Sequence, residues 1–178
     1  LYFYRVNRLQ NRFEVVLCND NGTQKVIYTE TSPRYVERPN SSTITFIDGD
    51  RFIVKEETTT GWMHLYLHST TKGRLNAITS GRWEVVSLVG YDGKSIYYTS
   101  TERSPLDRDL YSVRLNGKSR RLLTPEGGYN TVAPSTGMKY YIRTFSNSQT
   151  PNIITVNRAD GTTIDTLADR RKAVAAAG

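Results

Sequence analysis

Asp109-Leu110-Tyr111-Ser112-Val113-Arg114-Leu115 alternates with a period of two. Tyr111, Val113 and Leu115 face one way, Ser112 and Arg114 the other, as in a β-strand with one side in a core. Working outward, further β-rich runs cover residues 2–7, 13–18, 25–29, 51–55, 63–68, 85–89, 95–99, 139–145 and 152–157. Their Val, Ile, Tyr and Thr fit a pleated, half-buried surface. Between them stand turn pairs: Asn21-Gly22, Asp48-Gly49, Asp92-Gly93, Asn116-Gly117, Thr136-Gly137 and Asp160-Gly161. Helical patterning is nearly absent. Residues 167–176 form the one stretch that reads as a helix.

The turns keep a period. Asp48-Gly49, Asp92-Gly93 and Thr136-Gly137 start 44 residues apart each time. A second marker agrees: Ala77-Ile78-Thr79-Ser80-Gly81 recurs as Leu122-Leu123-Thr124-Pro125-Glu126-Gly127. An aromatic and a Val follow each, Trp83 with Val85 and Tyr129 with Val132. A repeat of roughly 40–50 residues built from four strands predicts a β-propeller blade. Each blade reads as short strand, turn, strand, polar loop, strand, turn, outer strand. The expected fold is therefore all-β, a partial propeller of about three to four antiparallel four-stranded blades. Residues 41–80, 81–125 and 126–168 each supply a blade. Residues 1–31 supply an incomplete one without its first strand, and 169–178 a tail. A closed ring takes at least about four blades. The chain is expected to be an arc from one larger propeller domain, an expectation its start at Leu1, inside an apolar run, also suggests.

Composition narrows the function classes. The 178 residues are 37% hydrophobic and 23% charged, with twelve Tyr, too apolar and aromatic for a disordered chain. No run approaches the roughly eighteen apolar residues of a membrane span. One cysteine, Cys18, excludes an internal disulfide framework and a Cys-rich zinc module. The net charge of +7 raises the question of nucleic acid. The basic residues are scattered, however. The tight groups Lys118-Ser119-Arg120-Arg121 and Arg170-Arg171-Lys172 fall at a turn and near the end, where charge ordinarily serves solvation. No nucleic-acid partner is expected.

An ordered set of motifs carries a family resemblance: Val6-Asn7-Arg8-Leu9-Gln10-Asn11, Thr79-Ser80-Gly81-Arg82-Trp83-Glu84-Val85, Ile96-Tyr97-Tyr98-Thr99-Ser100-Thr101-Glu102, Asp109-Leu110-Tyr111 and Lys139-Tyr140-Tyr141. Together they resemble the second half of the N-terminal propeller of dipeptidyl peptidase IV enzymes, in the prolyl oligopeptidase family. The resemblance covers nearly the whole chain. It implies a serine exopeptidase that removes N-terminal X-Pro or X-Ala dipeptides. Its Ser, Asp and His would lie in a C-terminal α/β-hydrolase domain of the same parent chain, in a Gly-x-Ser-x-Gly elbow for the nucleophile. No such elbow occurs here, so this chain is expected to hold no catalytic residue and to need no cofactor or metal. The implied partners are that hydrolase domain and peptide substrates, with a homodimer of the parent in keeping with the family. The implied location is the periplasm or cell surface. The alternative from another class is a non-enzymatic cell-surface propeller that binds proteins or glycans.

The resemblance implies one pocket-lining position. The family has an aromatic, an Arg and a Pro between two blades, with the Arg reaching the substrate. Here Val36-Glu37-Arg38-Pro39 lies in that place. Arg38 is the candidate substrate-binding residue, and Glu37 stands beside it where the family has the aromatic. The family also binds the substrate's amine with a Glu pair, but upstream of the part seen here. Glu56-Glu57 is not assigned that role and reads as a solvated loop.

Other residues read as structural. His64 and His68 lie on an alternating run, so at about 3.3 Å per residue their rings sit about 13 Å apart. One zinc draws its ligands to about 2.0–2.1 Å, so the two cannot share it. Cys18 reads as a small buried hydrophobe. Glu102, Asp107 and Asp109, interleaved with Arg103 and Arg108, read as a surface ion network. Trp83, Tyr97, Tyr98, Tyr140 and Tyr141 read as packing residues, with alternation placing one of each Tyr pair inside.

Overall fold

The computed structural model describes residues 1–40 and 42–171. Among the described residues the chain is all-β apart from a short 3-10 turn, Thr136–Met138, and a helical Arg171, and is built of antiparallel meanders in chain order. The first sheet has three strands, β1 (Tyr2–Val6), β2 (Arg12–Cys18) and β3 (Gln24–Thr31). The second has β4 (Ile44–Phe46), β5 (Arg51–Glu57), β6 (Met63–Ser69) and β7 (Gly73–Ala77). The third has β8 (Val85–Tyr91), β9 (Ser95–Ser100), β10 (Asp109–Arg114) and β11 (Arg121–Leu122). The fourth has β12 (Tyr129–Pro134), β13 (Tyr140–Asn147), β14 (Thr150–Arg158) and β15 (Thr163–Asp169).

Side-chain chemistry closes the hairpins. Asp48 Oδ1 accepts the N–H groups of Asp50 and Arg51, and Asp92 Oδ1 those of Lys94 and Ser95. Asn116 and Asp160 accept from Lys118 and Thr162. Such Asx turns hold a tight reversal and leave the next residue free to enter the left-handed region. Gly117 and Gly161, each after such an Asx, take that conformation with φ of 77° and 96°, and Gly73, 44 residues before Gly117 but after Lys72, takes it with φ of 73°. A further repeated bond ties the residue two past the end of the outer strand to the third strand. Thr79 Oγ1 accepts the Leu65 N–H at 2.9 Å, and Thr124 Oγ1 accepts the Leu110 N–H at 2.9 Å.

The runs read from alternation are strands in the structure. The strands that reading did not locate are β4, β7, β11, β12 and β15. These are the first or last of their sheets, short or polar, and one ends on Pro134. An edge strand buries less apolar surface, so its alternation is weak. Residues 167–170 depart from the expected helix, whereas Arg171 is helical. Leu167, Ala168 and Asp169 belong to β15, where Ala168 and Asp169 pair with Ile154 and Ile153. Residues 172–176 lie outside the described residues.

The chain divides into two compact units, residues 1–54 with 66–76 and residues 55–65 with 77 onward. In the first, Phe13, Val15, Ile27, Val36, Ile44, Phe52 and Val54 form the core. His68 packs there as an aromatic, stacked on Phe52 at 5.4 Å and edge-on to Tyr28 at 5.3 Å. In the second, Tyr97, Leu110, Leu123, Met138 and Tyr141 form a core between the third and fourth sheets. Burial of an aliphatic side chain such as Leu110 contributes about 1.5–3 kcal/mol.

The third sheet is covered on both faces, and this overturns the expectation that only one of Tyr97 and Tyr98 would be inside. Tyr97 turns toward Met138 and Tyr141. Tyr98 stacks with Tyr111 at 5.6 Å and Trp83 at 6.3 Å on the opposite face. Tyr140 and Tyr141 do alternate, at 45% and 2% exposure.

Candidate functional site

The link from β3 to β4 carries Glu37 and Arg38. Two main-chain bonds fasten its first half: Ser32 N–H to the Asn11 carbonyl at 2.9 Å and Val36 N–H to the Gln10 carbonyl at 2.8 Å. Val36 drops into the core, at 6% exposure. On the far side, Asn40 closes a turn by accepting the N–H of Ser42 and giving its own N–H to Thr43 Oγ1. Between these anchors Glu37 and Arg38 are both exposed. A guanidinium so held offers five fixed N–H donors to a carbonyl or carboxylate. Tyr35 in the same link, which no motif in the sequence marks, is 72% exposed. A large aromatic left in solvent three residues from Arg38 supplies an aromatic surface that Glu37 does not.

The second unit holds an open cleft of about 400 Å³. Trp62, Arg82, Trp83, Glu102, Arg103 and Arg108 line it, from the β5–β6 loop, the β7–β8 link and the β9–β10 loop. Its floor is rigid. Gly81 has φ of 147°, and a Cβ there would fall 2.1 Å from Trp83 Nε1. The His64 ring meets Trp83 edge-on at 4.7 Å. His64 Nε2 lies 3.1 Å from the Gly81 carbonyl, which accepts only, and Nδ1 lies 3.0 Å from Thr79 Oγ1. Both ring nitrogens are therefore spent on the fold.

Most charge in the cleft is internally matched. Arg103 grips Asp109 with Nε and Nη2 at 2.7 and 2.6 Å, and also donates to the Thr124 and Pro125 carbonyls. Asp109 is fully buried, so this is not the surface network read from sequence. The fork raises the affinity of Arg103 for its proton, the hydrogen bond to Asp109 outweighing burial. Arg120 pairs with Glu102 at 2.8 Å and caps the rings of Tyr111 and Trp83 at 5.6 and 5.9 Å. It is a packing cation, unlike the plain solvation expected of its cluster. Arg108 donates to the Pro105 and Asp107 carbonyls.

Glu56 belongs to β5 and is 6% exposed, so Glu56-Glu57 is not a solvated loop. Cys18 ends β2 half-buried, not in the core, with Sγ 3.6 Å from the Asn19 carbonyl. His64 and His68 are both buried on β6.

Residues 1–152 match the family described as the Dipeptidyl peptidase IV (DPP IV) N-terminal region. A dipeptidyl peptidase 4 of Trichophyton rubrum is 29% identical over 155 residues, which cover 82% of this chain and 20% of that protein. One from Arthroderma otae is 33% identical over 112 residues, 59% of this chain and 14% of that protein. The chain thus spans about a fifth or less of these relatives' length. The crystal structure of Porphyromonas gingivalis dipeptidyl peptidase 4 superposes with a TM-score of 0.89 at 30% identity, covering 99% of this chain and 25% of that one. A Bacteroides ovatus protein described as a dipeptidyl aminopeptidase IV shares the fold, with a TM-score of 0.77 at 23% identity over 94% of this chain and 27% of that one. The four meanders are blades, and the fold is a partial β-propeller.

Proposed function

Because the chain belongs to the dipeptidyl peptidase IV N-terminal-region family, we propose that it is the non-catalytic propeller portion of a serine dipeptidyl aminopeptidase. The complete enzyme releases N-terminal dipeptides with Pro or Ala second. The bond-breaking chemistry is acyl transfer by a Ser-His-Asp triad with an oxyanion hole. It belongs to an α/β-hydrolase domain of the complete polypeptide. The propeller walls the pocket, limits entry to short peptides and offers Arg38 to the substrate's carbonyls. Residues 41–80, 81–125 and 126–168 act as its blades, with 1–31 part of another. The enzyme works in the periplasm or at the cell surface, and as a homodimer.

The single observation that supports this reading most is the agreement along the chain with a solved dipeptidyl peptidase 4 at a TM-score of 0.89. For Arg38 the support is local. It is exposed between two anchored turns, with no hydrogen bond or ion pair to the described residues.

The test is hydrolysis of a Gly-Pro chromogenic amide by the complete polypeptide. Turnover abolished by an active-site serine reagent is expected, with none from residues 1–178 alone. Arg38→Ala lowers kcat/KM about tenfold or more, chiefly through KM, and Arg38→Lys restores part of it. A complete polypeptide that binds proteins or glycans but releases no dipeptide refutes the reading. An unchanged kcat/KM in Arg38→Ala removes Arg38 from the pocket.

A further inference from the structure

The tip of the β2–β3 hairpin sets an amide beside a nucleophile in an exposed turn. Asn21 precedes Gly22. The main-chain nitrogen of the residue after an Asn can attack the side-chain amide carbon, and Gly hinders that approach least. We propose that Asn21 is a spontaneous modification site, converting to aspartate and isoaspartate, and that the similar Asn116-Gly117 pair is protected by its packing.

The step balances with water as the sole co-reactant. Gly22 N gives its proton to solvent and bonds to Asn21 Cγ. The Cγ–Nδ2 bond breaks, and the nitrogen leaves as ammonia after taking up a proton. A five-membered cyclic imide remains. Water then adds to one of its two carbonyls and breaks that ring C–N bond. One opening leaves an aspartate at position 21, the other an isoaspartate with an extra methylene in the main chain.

The two hairpins share local chemistry, so sequence does not distinguish them. Asn21 Oδ1 accepts the Thr23 N–H at 2.9 Å, and Asn116 Oδ1 the Lys118 N–H at 3.0 Å. Gly22 N–H donates to the Asn19 carbonyl at 2.9 Å, and Gly117 N–H to the Arg114 carbonyl at 2.8 Å. Each must leave its carbonyl before its nitrogen attacks, so the rate follows the free energy of opening the tip.

The surroundings differ. Residues 19–26 are all exposed, and no atom of the described residues lies within 4 Å of where a Gly22 Cβ would stand. The corresponding point at Gly117 lies 3.1 Å from the Ile78 carbonyl and 3.5 Å from that of Ala77. Three residues on, Arg120 is held by Glu102 and two rings. Opening the first tip disturbs little beyond its own bonds. Opening the second disturbs its packing on the β7–β8 link.

The Asp-Gly turns are slower sites, since their side chains are carboxylates and not amides. The Arg51 N–H holds Asp48, and the Thr162 N–H holds Asp160, below the usual carboxylate range. At Asp92 burial is outweighed by the Ser95 and Lys94 N–H groups. An ionised carboxylate resists attack by nitrogen. Conversion at Asn21 lowers the formal charge of +7 by one and breaks the turn next to the Cys18–Gln24 pair, leaving the core of β2 in place.

The experiment incubates the protein, as its gene encodes it, folded in mildly alkaline buffer at body temperature. Peptide mass spectrometry follows the amide-to-acid mass gain at both sites, and heavy-oxygen water labels the product. Asn21 is expected to convert at least about tenfold faster than Asn116 in the folded protein, the ratio falling near one in concentrated urea. Gly22→Ala slows conversion at Asn21 and leaves Asn116 unchanged. Equal rates in the folded protein, or conversion at Asn21 only after unfolding, overturn the proposal.

Discussion

Removing either partner of the Arg103–Asp109 fork is expected to destabilise the fold by unequal amounts. Asp109 is fully buried, whereas Arg103 keeps 33% of its side chain in solvent. In Arg103→Ala the carboxylate loses bonds of 2.7 and 2.6 Å and retains the Thr124 hydroxyl at 3.4 Å. A buried charge left without its partner costs about 3–5 kcal/mol. In Asp109→Ala the guanidinium keeps the Thr124 and Pro125 carbonyls and reaches water. The loss is then nearer that of charged hydrogen bonds, about 1.5–3 kcal/mol. The Arg103 variant should be the less stable by roughly 1–2 kcal/mol on these figures. The double variant Arg103→Ala/Asp109→Asn should recover part of the loss, because no bare carboxylate remains. Urea unfolding followed by tryptophan fluorescence measures each value, and Trp83 of the same cleft reports locally. Equal losses, or an Asp109→Ala variant less stable than Arg103→Ala, refute the assignment of Asp109 as the buried and dependent partner.

Further outcomes follow from single side chains. Gly81→Ala forces a Cβ to within 2.1 Å of Trp83 Nε1; it should cost about 2 kcal/mol or more and shift the indole emission, as thermal melts and fluorescence will show. Tyr97→Phe deletes a 2.9 Å bond to Asp92 and should cost about 1 kcal/mol, whereas Tyr141→Phe removes a buried hydroxyl without a partner among the described residues and should be neutral or stabilising. Opposite ordering in urea midpoints would contradict both. The Arg5 hydrogen bond, then Arg12, holds the Glu14 carboxyl below its usual range. Its stabilisation is present above the unfolded value of about 4.3 and is lost as pH falls through the folded value. The stability gap between the native chain and Glu14→Gln should therefore close on acidification, and a gap that widens would reverse the sign.

Much of the architecture was legible because it rests on neighbours in sequence. Alternation places Tyr111 and Val113 in a strand wherever the rest of the chain goes. An Asx residue before Gly closes its own turn at Asp48 and Asp92, and the 44-residue period continues to Thr136-Gly137, which lies in the 3-10 turn and not in an Asx turn. The edge strands were less legible. β11 has two residues and β4 three, too few for a period to show. The candidate site was legible only in part. The position of Arg38 came through a resemblance, whereas the exposure of Tyr35 beside it carries no local signal.

The chain's own text determined strands, turns and their repetition, since each depends on residues within a few positions. Only the tertiary structure decided that one sheet is buried on both faces, so Tyr97 and Tyr98 are both inside. It also decided that Arg120 lies against rings, that Arg103 holds a buried Asp109, and that Gly22 stands open while Gly117 is packed. Burial and charge pairing come from groups on other strands and loops. A linear pattern records which residues are available for such contacts, and the packing of the sheets selects which of them meet.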